Sequence, residues 1–215
     1  KIYKYIHEII IVEDCNPNDQ KSASQKLLNS KKKCKPLYHK SQSGYGSAQK
    51  TGYRYCLKND CDGVILLHAD GQYDPKYLSF FIELLEKGYD VIQGSRMVEP
   101  GKALKGGMPL WKYFLNKFVT FIENLIFNTK FSEFHSGYVA YSSKTLKKIS
   151  FEKLSDTFHF DGEMLIMSKL KKLKFTDFSI SSYYSEETSS LNPFKYGLQV
   201  LNVILKYLKG YYHKL

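Results

Sequence analysis

No stretch of this 215-residue sequence approaches the ~20 consecutive apolar residues that a bilayer-spanning helix needs, and its first residues show no apolar signal region. Neither a membrane span nor export is therefore expected, and the expected location is the cytoplasm. Cysteine is sparse. Cys15, Cys34, Cys56 and Cys61 form no Cys-x-x-Cys pair and no zinc spacing, which argues against a sulfur-ligated metal and for reduced thiols. Internal repeats and low-complexity linkers are missing too, so one domain of ordinary size is expected. Acidic residues are in deficit, 21 against 32 Lys and Arg, and the net charge of +11 favours anionic partners such as nucleotides or phospholipid surfaces. Nucleic acid is not an expected partner, because the aromatic residues do not interleave with basic ones as base stacking requires. The lysine groups at 31–33, 147–148 and 169–174 read as solvated faces.

What the chain does have is a series of short apolar runs that each end in polar, chemistry-bearing residues. Gly63–Leu67 is too short for a helix and reads as a strand buried on both faces. His68, Asp70 and Gln72 follow it at i, i+2 and i+4, so they share one face if the backbone stays extended. Three donor side chains just beyond the carboxyl end of a strand stand where open α/β sheets place ligands, and make a candidate cation and phosphate site. Glu8–Val12 is a second such run, ending in Glu13 and Asp14. Acidic groups at a strand end can bond a ribose or base, or can simply hold a turn, with Asn18 or Asp19 capping a helix to about Asn29.

Pro36–His39 reads as a short strand, and Gly44-Tyr-Gly46-Ser-Ala48 then opens a helix to about Lys58. Two glycines at that spacing can bring backbone amides to a phosphate, or can serve close packing. Leu78, Phe81, Ile82 and Leu85 mark a helical face, and Asp90–Ile92 a further strand ending in Gly94-Ser95-Arg96. An arginine there can grip a phosphate or pair with a carboxylate. Residues 99–109, with three glycines, Lys102 and Lys105, read as a mobile loop at the site mouth. Leu110, Phe114, Phe118, Phe121, Ile122 and Leu125 mark a long helix whose aromatic stripe reads as core.

Residues 132–141 pass from a polar turn, with Glu133 and His135, into a strand; Phe158–Glu163 opens another helix, with His159, Asp161 and Glu163. These carboxylates and histidines are candidates for proton transfer, although helix starts also attract acids through the helix dipole. Phe175–Tyr184 is a last strand. Phe194, Leu198, Leu201, Leu205 and Leu208 stripe a terminal helix that would pack on the domain, on a partner or on a membrane surface, the first being the default. Strands alternating with helices give an α/β chain with a mostly parallel sheet wound on both faces.

Taken in order, the motifs resemble family 2 glycosyltransferases of the GT-A, Rossmann-like fold, close to the polyprenyl-phosphate mannose and glucose synthases. The resemblance runs to about residue 195. It rests on Ile-Val-Glu-Asp at 11–14 with Asp19, Gly44-Tyr-Gly-Ser-Ala48 with Gly52, His-Ala-Asp-Gly-Gln at 68–72 with Pro75, Gly-Ser-Arg at 94–96, Ser-Gly-Tyr at 136–138 and Phe-Asp-Gly-Glu at 160–163. It implies a GT-A domain over 1–190 and a terminal amphipathic helix over 191–215. It implies that Glu13 and Asp14 meet the nucleotide of a UDP- or GDP-sugar, with Gly44, Gly46, Lys50, Asp70 and Arg96 also on the donor. Asp70, with Gln72 and His68, would hold Mg2+ or Mn2+ on the diphosphate. Glu133, Asp161 or Glu163 would supply or orient the base of an inverting hexosyl transfer to a lipid-phosphate or glycan acceptor, with peripheral contact at the inner membrane face.

Three departures accompany the resemblance. His68 stands where the metal motif has its first aspartate, which suits manganese better than magnesium if His68 ligates. The family's opening strand, with its Pro-x-Tyr-Asn-Glu pattern, has no counterpart, since the sequence begins inside what reads as the first helix; the arginine of many lipid-phosphate members is replaced around Ser185–Ser190, and no membrane helices follow. Two other readings remain open: a nucleotidyltransferase, which would release pyrophosphate, and a binding subunit that has lost its donor site.

Overall fold

The computed structural model describes residues 6–14, 34–184 and 193–215. The helix expected from Asn18 or Asp19 to Asn29, the Lys31–Lys33 group and the Ser185–Ser190 segment lie outside them. Among the described residues six strands fall into two sheets. β1 (Ile9–Glu13) pairs in parallel with β2 (Cys34–Tyr38), and β3 (Gly63–Leu66), β4 (Val91–Ser95), β5 (Val139–Ser142) and β6 (Phe175–Ser179) form a second sheet in the order β3-β5-β4-β6. Strand β5 runs antiparallel to β3 and β4, while β4 and β6 are parallel. β3, β4 and β6 therefore point the same way, and their carboxyl ends lie on one rim.

Between them come α1 (Tyr45–Lys58), α2 (Leu78–Glu86), α3 (Lys102–Lys105), α4 (Leu110–Phe127), α5 (Ser143–Lys148), α6 (Phe160–Leu170) and, at the end, α7 (Pro193–Leu208). Alternation along the central strands divides the core. Val91, Val139 and Tyr141 face a cluster with Tyr53, Phe160 and Met164, whereas Ile92, Tyr138 and Ala140 face one with Phe81 and Tyr77. Helices α1 and α6 thus cover one face and α2 the other. Helix α6 is buried almost all round, from Phe160 through Ser168, so even its charged residues Asp161 and Glu163 are inside.

The fold departs from the sequence expectation at four places. β3 is only half-buried, because it is an edge strand, and β4 is the strand buried throughout. Residues 99–109 are not an open loop: they form the turn of α3 and carry a small apolar cluster of Met97, Ala103, Met108 and Tyr113. The last strand stops at Ser179; beyond it the Ile180 amide donates to the Ser95 carbonyl and Ser182 forms an isolated bridge to Tyr73.

The fourth difference is the largest. The aromatic stripe of α4 faces solvent, with Trp111, Phe114, Phe118 and Phe121 each 59–66% exposed, while Tyr113, Thr120, Glu123 and Phe127 are its buried face. Leu198, Leu201, Leu205 and Leu208 of α7 are likewise exposed, and α7 packs inward through Val200, Val203 and Tyr207. A 3.6-residue period locates an apolar stripe but not what covers it, and in both helices a second, aromatic or β-branched face fits the core.

Candidate functional site

The site grows from the tip of β3. The backbone does not stay extended past Leu66; it turns at Ala69-Asp70, with Gly71 at φ +74 allowing the reversal. The Asp70 carboxylate caps this turn, Oδ1 accepting from the Gln72 N–H at 3.0 Å, and Gln72 is held in place by its carbonyl, which accepts from the Tyr183 N–H. The turn breaks the extended register that would by itself set Gln72 on one face with His68 and Asp70. The imidazole of His68 lies inside the turn. Its Nδ1 stands 3.9 Å from Asp70 Oδ2, and its Nε2 lies 2.8 Å from the Tyr45 hydroxyl.

Tyr45 is the first residue of α1. Its hydroxyl donates to Asp161 Oδ2 at 2.7 Å, Gln49 one turn further on donates through Nε2 to Oδ1 at 2.8 Å, and Tyr53 donates to Gln49 Oε1 at 2.6 Å. A continuous polar chain thus runs from Tyr53 through Gln49, Asp161, Tyr45 and His68 to Asp70. Burial pushes the Asp161 carboxyl above its ordinary range even though these two bonds favour its charged form. Burial and the neighbouring Asp161 keep Tyr45 protonated, well above its ordinary range. With the Tyr45 hydroxyl donating to Asp161, its oxygen is free to accept from His68 Nε2–H, and in that neutral tautomer the Nδ1 lone pair faces Asp70.

Two other motifs support this chain. Gly137, in the Ser-Gly-Tyr run, lies beneath it: a Cβ there would sit 2.2 Å from His68 Nε2 and 2.9 Å from the Tyr45 hydroxyl. Ser136 fixes that backbone by donating to the Gly94 carbonyl at 2.6 Å. Asp14, at the tip of β1, accepts from the Ser43 and Gly44 amides at 2.7 Å each and from His39 Nδ1 at 2.9 Å, and so sets the turn that launches Tyr45. Burial opposes its charge, but those donors prevail and hold its carboxyl below the ordinary value of 3.8. Glu13 beside it uses its carbonyl on the His39 amide.

Several expected site residues are committed elsewhere. Gly44 and Gly46 allow close packing, because Cβ atoms there would meet the Asp156 and Ser155 carbonyls at 2.5 and 2.6 Å, and the Gly46 amide already donates to Asp156 O. Lys50 is buried, donating to the Leu154 carbonyl at 2.6 Å and Asp156 Oδ1 at 2.9 Å. Arg96 is buried against Glu133, its Nε 3.2 Å from Oε2, while Nη1 and Nη2 donate to the Tyr184 hydroxyl and the His135 carbonyl. Glu133 also accepts from Ser95 Oγ and the Arg96 amide. Glu163 points away from Asp161, as residues two apart on a helix do, and accepts from the Ser155 amide and the Tyr212 hydroxyl at 2.6 Å each. His159 is buried at the start of α6, and His135 Nε2 lies 3.1 Å from Glu123 Oε2.

Among the described residues no three His, Cys, Asp or Glu side chains gather as a metal site. The donors that fit a divalent cation are Asp70 and His68 Nδ1, an oxygen and a nitrogen facing one another at the strand tip. Two such donors suit an ion that arrives with further oxygen ligands on a phosphate. A separate cleft of about 250 Å3 lies between Glu99, Lys102 and Lys105 on one side and Ser181–Tyr183 on the other, and its lining includes neither His68 nor Asp70. Sequence reasoning missed Tyr45, Gln49 and Gly137 as parts of the site. Tyr45 carried a signal, since it stands between two glycines at a helix start.

An open sheet with one reversed strand, helices on both faces and a polar site at the β3 tip define a GT-A glycosyltransferase fold. Glucosyl-3-phosphoglycerate synthase from Mycobacterium tuberculosis superposes with a TM-score of 0.62 at 13% identity in its UDP complex, over 94% of this chain and 69% of that one. Its complex with Mn2+, UDP and glucosyl-3-phosphoglycerate gives 0.59 at 13% identity, over 95% and 68%. The family model for glycosyl transferase family 2 matches residues 1–150, and the chain belongs to that family. An uncharacterized protein of Methanocaldococcus jannaschii is 33% identical over 148 residues, 68% of this chain and 60% of the relative. The UDP-N-acetylglucosamine–dolichyl-phosphate N-acetylglucosaminyltransferase of Methanococcus voltae is 28% identical, over 70% of this chain and 59% of the relative. The polyprenol monophosphomannose synthase of Mycolicibacterium smegmatis is 25% identical, over 66% and 53%. The chain thus spans between about half and three fifths of the length of these curated relatives.

Proposed function

We propose that this chain carries the donor site of an inverting, metal-dependent hexosyltransferase that uses a UDP- or GDP-sugar and a lipid-phosphate acceptor, working in the cytoplasm with peripheral contact at the inner membrane face. Asp70 and His68 would hold Mg2+ or Mn2+, with manganese favoured by the imidazole donor. That cation, when bound, offsets the charge gathering on the departing nucleoside diphosphate. Glu13, at the β1 tip, meets the nucleotide in this reading, and Asp14 acts by shaping the turn before Tyr45. Two relatives named for dolichyl-phosphate and polyprenol-monophosphate chemistry support the acceptor class.

The observation that carries the lipid-phosphate reading is that all three candidate base carboxylates are buried and already accept a hydrogen bond on each oxygen from the protein itself. Glu133 is spent on Arg96 and Ser95, Glu163 on Tyr212 and Ser155, and Asp161 on Tyr45 and Gln49. A hydroxyl acceptor needs a free base. A phosphate monoester, with its second pKa at about 6, is already an anionic nucleophile at neutral pH. Asp161 then orients Tyr45 and His68 beneath the diphosphate and abstracts no proton. A glycan acceptor would require a carboxylate that these bonds leave free.

The test is a donor screen by thermal shift, with UDP-glucose, UDP-N-acetylglucosamine and GDP-mannose, with Mn2+ or Mg2+ and after chelation. A donor is expected to raise the melting temperature only with metal, the increment growing with the logarithm of ligand concentration, and metal alone is expected to do little. Asp70→Ala should abolish the increment. An unchanged increment in that variant would overturn the metal assignment. Release of nucleoside diphosphate with a polyprenyl phosphate but not with a polyprenol or a sugar supports the acceptor class; release of pyrophosphate would replace the reading with nucleotidyl transfer.

A further inference from the structure

We infer that the exposed faces of α4 and α7 form a docking surface for an anionic lipid bilayer. The inference rests on the lipid-phosphate reading for its purpose but on independent residues for its evidence. Trp111, Phe114, Phe118, Phe121 and Leu125 present one continuous apolar stripe to solvent, on a helix whose opposite face is already buried in the domain. Leu198, Leu201, Leu205 and Leu208 do the same on α7, which lies against α4 where Phe127 meets Tyr207 with ring centroids 4.8 Å apart. A soluble surface rarely leaves so many large apolar groups together without a partner.

Charge selects the partner. α4 has one acidic residue, Glu123, which is buried beside His135, and α7 has none. Exposed basic residues surround the stripes: Lys117 within α4, Lys105 and Lys130 beyond its two ends, and Lys209 and Lys214 after α7. Aromatic and leucine side chains on one face, with lysines around them and no exposed acid on either helix, are the composition of helices that lie in the headgroup layer of an anionic membrane. A second copy of the chain would bring the same positive charge to the contact, so repulsion disfavours self-association through this face. Lys102 and Lys105, at the approach to α4, also line the separate cleft beside Ser181–Tyr183.

The protein carries its own reporter, because Trp111 is its single tryptophan and lies on the stripe. Vesicles of phosphatidylcholine, with and without phosphatidylglycerol, are mixed with the wild type and with Phe114→Glu/Phe118→Glu, and Trp111 emission and co-flotation are read at low and high salt. Anionic vesicles are expected to shift the emission to the blue and carry the protein upward, more weakly at high salt. The double variant should lose at least about tenfold in partitioning, since two aromatic groups no longer enter the interface. Circular dichroism and the donor-dependent thermal shift should be unchanged in that variant, because neither phenylalanine touches the site. Absence of a blue shift and of flotation with every vesicle would overturn the inference, as would retention of both in the double variant. A lipid-free blue shift that grows with protein concentration, together with a dimer in sedimentation, would also overturn it in favour of a copy. Vesicle binding without donor binding would remove the functional reading and leave the docking surface; donor binding without vesicle binding would do the reverse.

Discussion

His68 links two chemistries that one imidazole can serve together: its Nε2 closes a hydrogen-bonded chain to Asp161, and its Nδ1 faces the Asp70 carboxylate. The tautomer that donates through Nε2 is the one that leaves a lone pair on the second side. Asp161 is then the residue whose role is most sharply testable. If it orients Tyr45, Asp161→Asn should reduce kcat with a phosphate acceptor by no more than about tenfold, whereas removing a true general base costs roughly 10²–10⁴-fold. The pH–rate profile of both proteins should rise with acceptor ionisation near about pH 6. Stability moves with a definite sign. Because the folded carboxyl is raised above 3.8, its contribution is full below that value and is lost as pH rises through the folded pKa. Urea unfolding should therefore show Asp161→Asn gaining on the wild type as pH rises from about 4 to 7.

At the scale of elements, the turn after β3, the loop before β5 and the start of α1 are built around each other. Gly137 is required because the imidazole of His68 occupies the space a Cβ would take. Gly137→Ala should cost about 1–3 kcal/mol in chemical denaturation, as an overpacked interior does. It should also abolish the donor-dependent thermal shift, because His68 must swing away from Tyr45. A variant with full donor binding would show that the chain from Asp161 to His68 is dispensable. The glycines of α1 tell a different story: Gly44 and Gly46 admit the Ser155–Asp156 backbone, so the phosphate-turn pattern there serves packing between α1 and the approach to α6.

Across the whole molecule, the β1–β2 sheet is joined to α1 through Asp14, and through the Tyr55 hydroxyl, which donates to Glu8. Asp14→Ala removes three charge-assisted bonds and should destabilise the protein by about 2–3 kcal/mol at neutral pH. Since the Asp14 carboxyl is held below 3.8 in the folded state, that contribution is present above 3.8 and fades as pH falls through the folded value. The gap between variant and wild type in urea should therefore narrow only below pH 3.8. The positive charge acts at this scale as well, since the lysines around α4 and α7 sit where no exposed acid on either helix offsets them.

The amino-acid sequence by itself determined the class of fold and the rim on which the site lies, because short apolar runs that end in His68-Ala-Asp70, Glu13-Asp14 and Ser95-Arg96 are local patterns, and strand ends follow from them directly. It could not say which carboxylate reaches that rim. Asp161, Glu163 and Glu133 are alike in a linear reading, and only the rotation of α6 and the burial of Arg96 separate the one that meets Tyr45 from the two spent on packing. The same reason explains the stripes of α4 and α7: periodicity fixes which residues share a face, but whether that face meets core or solvent depends on neighbours brought together from distant parts of the chain.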